Sequence, residues 1–130
     1  MKIALPLAAV TLFAVGVNAL ADRNALHGHA LDGDTFVVRS EHIRIEHIDA
    51  PELPGHCRGW RKAHDTCAKG DPWAAKRGLQ NELDRGVFCH RDGKDFYGRT
   101  LATCVTRDGA DLGQLLVNAG LAQPYTYGGK

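Results

Sequence analysis

Three carboxylates and a guanidinium fall within a short stretch of this chain: Asp34 in Asp32-Gly33-Asp34, Arg44 in Ile43-Arg44-Ile45-Glu46, and Asp49 and Glu52 on either side of Ala50-Pro51. Asp34 and Asp49 are hard oxygen donors. Together with a backbone carbonyl and water they suit Ca²⁺, Mg²⁺ or another hard divalent ion rather than a thiolate-loving metal. Pro51 biases Ala50 toward an extended shape, which can aim the Ala50 carbonyl inward as a further ligand. Glu52 stands just beyond, where it can orient or deprotonate a water. Arg44 offers a planar fork to a phosphate, a geometry Lys does not match. Singly, each residue has an ordinary reading: Asp-Gly-Asp as a turn, a strand Arg as a surface charge. The set points to metal-assisted chemistry at a phosphoryl group.

For these groups to meet, the backbone must break its own pattern. Residues an odd number apart on a regular strand point to opposite faces. Arg44 and Asp49 are five apart, and Ile45 and Ile48 are three apart. An unbroken strand would separate the first pair and expose one of the second. One extra residue near Glu46-His47, a β-bulge, keeps both isoleucines inward and brings Arg44 and Asp49 to one side.

The surrounding pattern predicts a compact set of elements. Residues 25–31 and 35–39 read as strands around Asp32-Gly33-Asp34, and Ser40-Glu41-His42 turns into the strand beginning at Ile43. Residues 53–70 show no period and read as a loop stapled by Cys57 and Cys67. Asp71 caps a helix with Pro72 at its first position; Ala75, Leu79 and Leu83 form its apolar row, and Gly86 ends it. Residues 86–91 and 99–105 read as a hairpin turning at Asp92-Gly93. Asp111 caps a second helix, with Gln114 placed for a capping box and Gly120 as its stop. The order β-β-β-α-β-β-α describes a mainly β domain with helices, a five-stranded closed or partly closed barrel of OB type.

Composition narrows the setting. Residues 1–21 read as a signal peptide: Met1-Lys2, an apolar run, then Asn18-Ala19-Leu20-Ala21 as a cleavage pattern. The run is shorter than the about 20 apolar residues that span a bilayer, and Pro6 interrupts it. Residues 22–130 then form one exported domain, periplasmic or secreted, with no membrane association after cleavage. In an oxidising compartment the four cysteines form two disulfides, and of three possible pairings the local ones, Cys57–Cys67 and Cys89–Cys104, are favoured. A zinc site from His56, Cys57, His64 and Cys67 lacks the paired spacing such sites use. The formal net charge is +1, which excludes a long-range basic field, so polyanion contact must come from local cations. Arg58, Arg61, Lys62 and Lys69 make the stapled loop basic enough to guide a strand. Trp60 and Trp73 are read as packing residues.

"DGDT" (32–35), Arg44 followed by "DAPE" (49–52), "YGR" (97–99) and "DLGQLLVNAGLA" (111–122) together resemble the staphylococcal nuclease (thermonuclease) family, over most of residues 29–127. The resemblance implies an OB-fold barrel and calcium-dependent hydrolysis of DNA and RNA, acting on single-stranded regions as a monomer and leaving 3′-phosphate ends. By position it makes Asp34, Asp49 and the Ala50 carbonyl the calcium ligands, Arg44 and Arg99 the arginines on the scissile phosphate, and Glu52 the general base. Tyr97, Tyr125 and Tyr127 match aromatics of the nucleotide pocket. Ala50 stands where the best-known member has Thr, Phe96 where it has Lys, and the family's last helix is not matched. The alternative function is a non-catalytic OB module that binds nucleic acid, for which Asp34, Asp49 and Glu52 together would be unnecessary.

Overall fold

The structure is a computed structural model that describes residues 24–126. The stretch read as a signal peptide, residues 1–21, and Tyr127 lie outside the described residues. Seven strands run in chain order as β1 (His29–Ala30), β2 (Thr35–Val38), β3 (Glu41–Ile45), β4 (Ile48–Asp49), β5 (Phe88–Lys94), β6 (Thr100–Val105) and β7 (Gln123–Pro124). Three helices, α1 (Gly59–Ala63), α2 (Pro72–Arg85) and α3 (Leu112–Asn118), complete the described elements. The main sheet has the order β1-β2-β3-β6-β5, antiparallel except for the parallel pair β3 and β6. Among the described residues no strand pair closes it into a barrel. A single bridge between Leu26 and Val87, with backbone hydrogen bonds of 2.7 and 3.0 Å, links the segments preceding β1 and β5. The result is the mixed, partly open sheet of an OB-like fold.

The core lies between this sheet and α2 and α3. Phe36, Ile43, Ile45 and Ile48 meet Leu79, Leu83, Leu112 and Leu116, all essentially without solvent contact. Burial of these side chains at about 1.5–3 kcal/mol each is what ordering the chain is weighed against. The capping residues do what their chemistry dictates. The Asp71 carboxylate accepts from the Trp73 and Ala74 N–H groups at 2.9 and 3.2 Å, and Asp111 accepts from Gln114 N–H at 2.8 Å. Gln114 does not complete a capping box; its amide donates forward to Asn118 at 2.8 Å, one turn along the same face.

The hairpin and the stapled loop differ from the sequence reading. The hairpin does not turn at Asp92-Gly93. The register shifts between Arg91 and Lys94, Gly93 adopts φ +104°, and the chain turns at residues 95–98. Asp95 explains the shift of the turn: its carboxylate accepts from the Tyr97 and Arg99 N–H groups, both at 2.9 Å, so the side chain itself organises the reversal. The stapled loop contains the short helix α1. Five residues, none of them buried, leave no apolar period to read. Both local disulfides form, with Cys89 directly opposite Cys104 across β5 and β6.

Glu41 at the start of β3 ties three strands together. It accepts both prongs of Arg91 at 2.8 and 2.7 Å and the Thr100 hydroxyl at 2.9 Å. The hydrogen bonds from Arg91 are the main reason its pKa falls from 4.5 to about 2, against a smaller upward push from burial. A depressed carboxylate stabilises the fold fully above its unfolded pKa and loses that contribution as pH falls toward the folded value. Glu41→Gln should therefore cost about 0.5–1 kcal/mol at pH 6, measured by urea unfolding, and nothing near pH 2. A cost independent of pH would mean that packing, not charge, is what Glu41 contributes.

Candidate functional site

The site begins with a turn that its own aspartate folds. The Asp32 carboxylate accepts from the Asp34 and Thr35 N–H groups at 3.0 and 2.9 Å, which reverses the chain and directs Asp34 inward. Gly33 permits the packing: a Cβ there would lie 2.6 Å from the Cβ atoms of both Ala50 and Ala75. The Gly33 backbone thus packs against these two methyl groups, and Asp34 Oδ2 accepts the Ala50 N–H at 2.9 Å while Oδ1 accepts the Thr35 hydroxyl at 3.0 Å. Asp34, Asp49 and Ala50 are all buried.

The phase slip at Glu46-His47 is resolved by a strand break rather than a bulge within a continuing ladder. His47 takes the left-handed φ of +69°, ending β3; Ile48 and Asp49 then pair with β7 in a second, two-stranded sheet. A bulge would have kept the strand in the main sheet, whereas β7, a strand the sequence does not announce, offers it new partners. The consequence for side chains is the expected one. Ile45 and Ile48 are both buried, and Arg44 faces Asp49. One guanidinium nitrogen of Arg44 stands 3.6 Å from Asp34 Oδ2 and 3.7 Å from Asp49 Oδ1. Its other terminal nitrogen donates to the Ile45 carbonyl at 2.6 Å.

Electrostatics follow from burial. Desolvation raises the Asp34 pKa from 3.8 to about 6, with Arg44 pulling it back down. Glu52 is half-buried at the margin of the pair. Burial first, then the charges of Asp34 and Asp49, hold it above the usual carboxylate range. Three carboxylates crowded into low dielectric favour a cation.

One cation near them was not read from the sequence as part of the site. Arg61, on α1, donates to Asp49 Oδ2, lies 3.9 Å from Glu52, and covers the Tyr125 ring at 5.8 Å. The sequence signal was present in a weak form: the Cys57–Cys67 bridge folds a basic loop back on itself, and Arg61 sits near its midpoint. The same bridge removes both thiols from the zinc alternative.

Asp34, Arg44, Asp49, Ala50 and Glu52 thus share one place. Arg99 and Tyr97 lie at the neighbouring strand end. Arg99 Nε donates to Asp95 at 2.7 Å and its guanidinium lies 5.6 Å from the centre of the Tyr97 ring. Both line a shallow hollow with His42 and Lys94, and none of Asp34, Arg44, Asp49 or Glu52 lines it. Arg99 lies two residues before Leu101, the register partner of Arg44 in the parallel ladder, so the two arginines belong to neighbouring strand ends. Tyr125 is partly buried on the Arg61 side.

Could a metal ion fit? Among the described residues no three of His, Cys, Asp or Glu converge as a ready-made cage. Asp34 and Asp49 supply two hard oxygen donors with surplus negative charge, and a calcium ion commonly completes its shell with carbonyls and water. The donor chemistry fits a hard divalent ion.

Residues 42–130 match the family model of staphylococcal nuclease homologues. The chain belongs to that family. Its members are generally nucleic-acid hydrolases, typically calcium-dependent. The match begins beyond Asp34, whose membership of the site therefore rests on geometry. A curated relative, the succinoglycan biosynthesis protein ExoI of Rhizobium meliloti (strain 1021), is 34% identical over 92 residues, covering 71% of this chain and 47% of that protein. The chain thus spans about half the length of that relative.

Asp34 carries a prediction about the metal-free protein. A raised carboxylate pKa means that stability is full below 3.8 and declines as pH rises through about 6. In the presence of a chelator, Asp34→Asn should become more stable relative to the native chain across this interval, as followed by thermal unfolding. A difference that does not change between pH 4 and 7 would remove the buried charge from the account.

Proposed function

We propose that this family member is an exported calcium-dependent nuclease that hydrolyses phosphodiester bonds of DNA and RNA. It acts as a monomer on single-stranded regions and leaves 3′-phosphate and 5′-hydroxyl ends. The observation that carries the proposal is the buried Arg44 guanidinium between Asp34 and Asp49, with Glu52 at their edge. A module that only binds nucleic acid has no use for that expense of buried charge.

Each of the following roles is part of this proposal. Asp34, Asp49 and the Ala50 carbonyl hold the ion; when bound, calcium supplies Lewis-acid stabilisation of a phosphoryl oxygen. Arg44 donates to an equatorial phosphate oxygen, where charge grows in the transition state, and so lowers the barrier more than it tightens substrate binding. Glu52 takes the proton of the attacking water. Its raised pKa makes it a stronger base than an exposed carboxylate, closer to the operating pH. Arg99 completes the phosphate clamp from the neighbouring strand end, and Tyr97 and Tyr125 offer faces to the base, a role the family resemblance extends to Tyr127. The two disulfides suit an exported chain.

Purified protein incubated with single-stranded DNA or RNA should cleave both in calcium and neither in chelator. Glu52→Ala should lower kcat by about 10²–10⁴ while binding of an uncleavable strand is unchanged. The acid limb of the native rate profile should lie above the ordinary carboxylate range, because Glu52 must be ionised to act. Binding without cleavage under any divalent ion would instead leave a non-catalytic module.

A further inference from the structure

Both oxygens of Asp49 are engaged by guanidinium groups, but the two arginines are held very differently. Arg44, on Oδ1, is itself buried and anchored in β3 by its bond to the Ile45 carbonyl. Arg61, on Oδ2, has a side chain 35% exposed and rides on a five-residue helix with no buried residue and no side-chain cap. Its remaining contacts are the Thr66 carbonyl at 3.0 Å, Glu52 at 3.9 Å and the Tyr125 face. Asp34 is already committed, one oxygen to the Thr35 hydroxyl and the other to the Ala50 N–H. The oxygen most easily released to a ligand is therefore Asp49 Oδ2, and Arg61 holds it.

We infer that Arg61 is an internal counter-cation that the divalent ion must displace, and that it thereby sets the affinity of the metal site. This rests on the reading of Asp34 and Asp49 as metal ligands. Without the ion, Arg61 neutralises a carboxylate whose burial would be costly if left unpaired. With the ion, two positive charges replace one, and a partly exposed guanidinium returns to water at small cost. The Cys57–Cys67 bridge keeps α1 beside the pocket in either arrangement, so only the side chain has to move.

The test is calorimetric titration of calcium chloride into the chelator-stripped full chain, comparing the native protein, Arg61→Gln and Arg61→Lys. Arg61→Gln should bind calcium about five- to tenfold more tightly than the native chain. Arg61→Lys, which keeps the charge but loses the fork, should fall between. Calcium should also raise the Tm of Arg61→Gln more than that of the native protein. If Arg61→Gln does not fold without the ion, Arg61→Lys decides the matter by the same comparison. Native binding with unchanged or weakened affinity in the variants would overturn the role of Arg61 and leave the metal site standing. Binding by none of the three would overturn both readings.

Discussion

A buried guanidinium between two buried carboxylates is the constraint from which the rest of this structure follows. Removing three charges from water costs several kcal/mol per ion, and only close geometry and further hydrogen bonds repay it. Arg44, Asp34 and Asp49 meet that condition through neighbours: the Ile45 carbonyl, the Thr35 hydroxyl and the Ala50 N–H each satisfy a remaining valence. A cluster of this kind adds less to stability than apolar side chains of the same volume would. Under the proposed function, its presence in a small domain is accounted for by chemistry.

Local features of the chain serve that cluster. Gly33 lets the Asp34 turn press against Ala50 and Ala75, so the Asp34 carboxylate reaches the strand end that carries Asp49. The break at His47 rotates Ile48 and Asp49 onto a second pair of strands, which keeps the apolar layer continuous while turning Asp49 toward Arg44. The Cys57–Cys67 bridge then brings a loop cation to the open side. Positive charge thus approaches the carboxylates from a rigid strand on one side and from a surface loop on the other. Of the two, the loop cation is the more exposed.

Much of this was legible in the sequence because it is encoded locally. The caps at Asp71 and Asp111, the apolar row of α2 and the cysteine pairs each depend on nearby residues. The phase conflict between Ile45 and Ile48 announced a break, and with it the meeting of Arg44 and Asp49. The device was misread, because β7 is a two-residue strand of Gln and Pro with no alternation to signal it. The hairpin turn was misplaced because Asp-Gly is a common turn pair, while the double acceptance by Asp95 that moves the turn onward depends on a side-chain conformation. Arg61 stayed hidden among four basic residues of an aperiodic loop, and only the folded path of the stapled loop distinguishes it. Arg99, two residues before the register partner of Arg44, donates to Asp95 and lies beside the Tyr97 ring, contacts that no spacing in the sequence announces.

The most direct measurement of the central claim is a crystal structure of the protein with calcium and a non-hydrolysable single-stranded oligonucleotide. The account predicts one calcium ion bound by carboxylate oxygens of Asp34 and Asp49, with a backbone phosphate within hydrogen-bond reach of Arg44 and a water beside Glu52. An ion bound elsewhere, or a strand whose phosphates pass the Asp34–Arg44–Asp49 cluster without touching it, would contradict it.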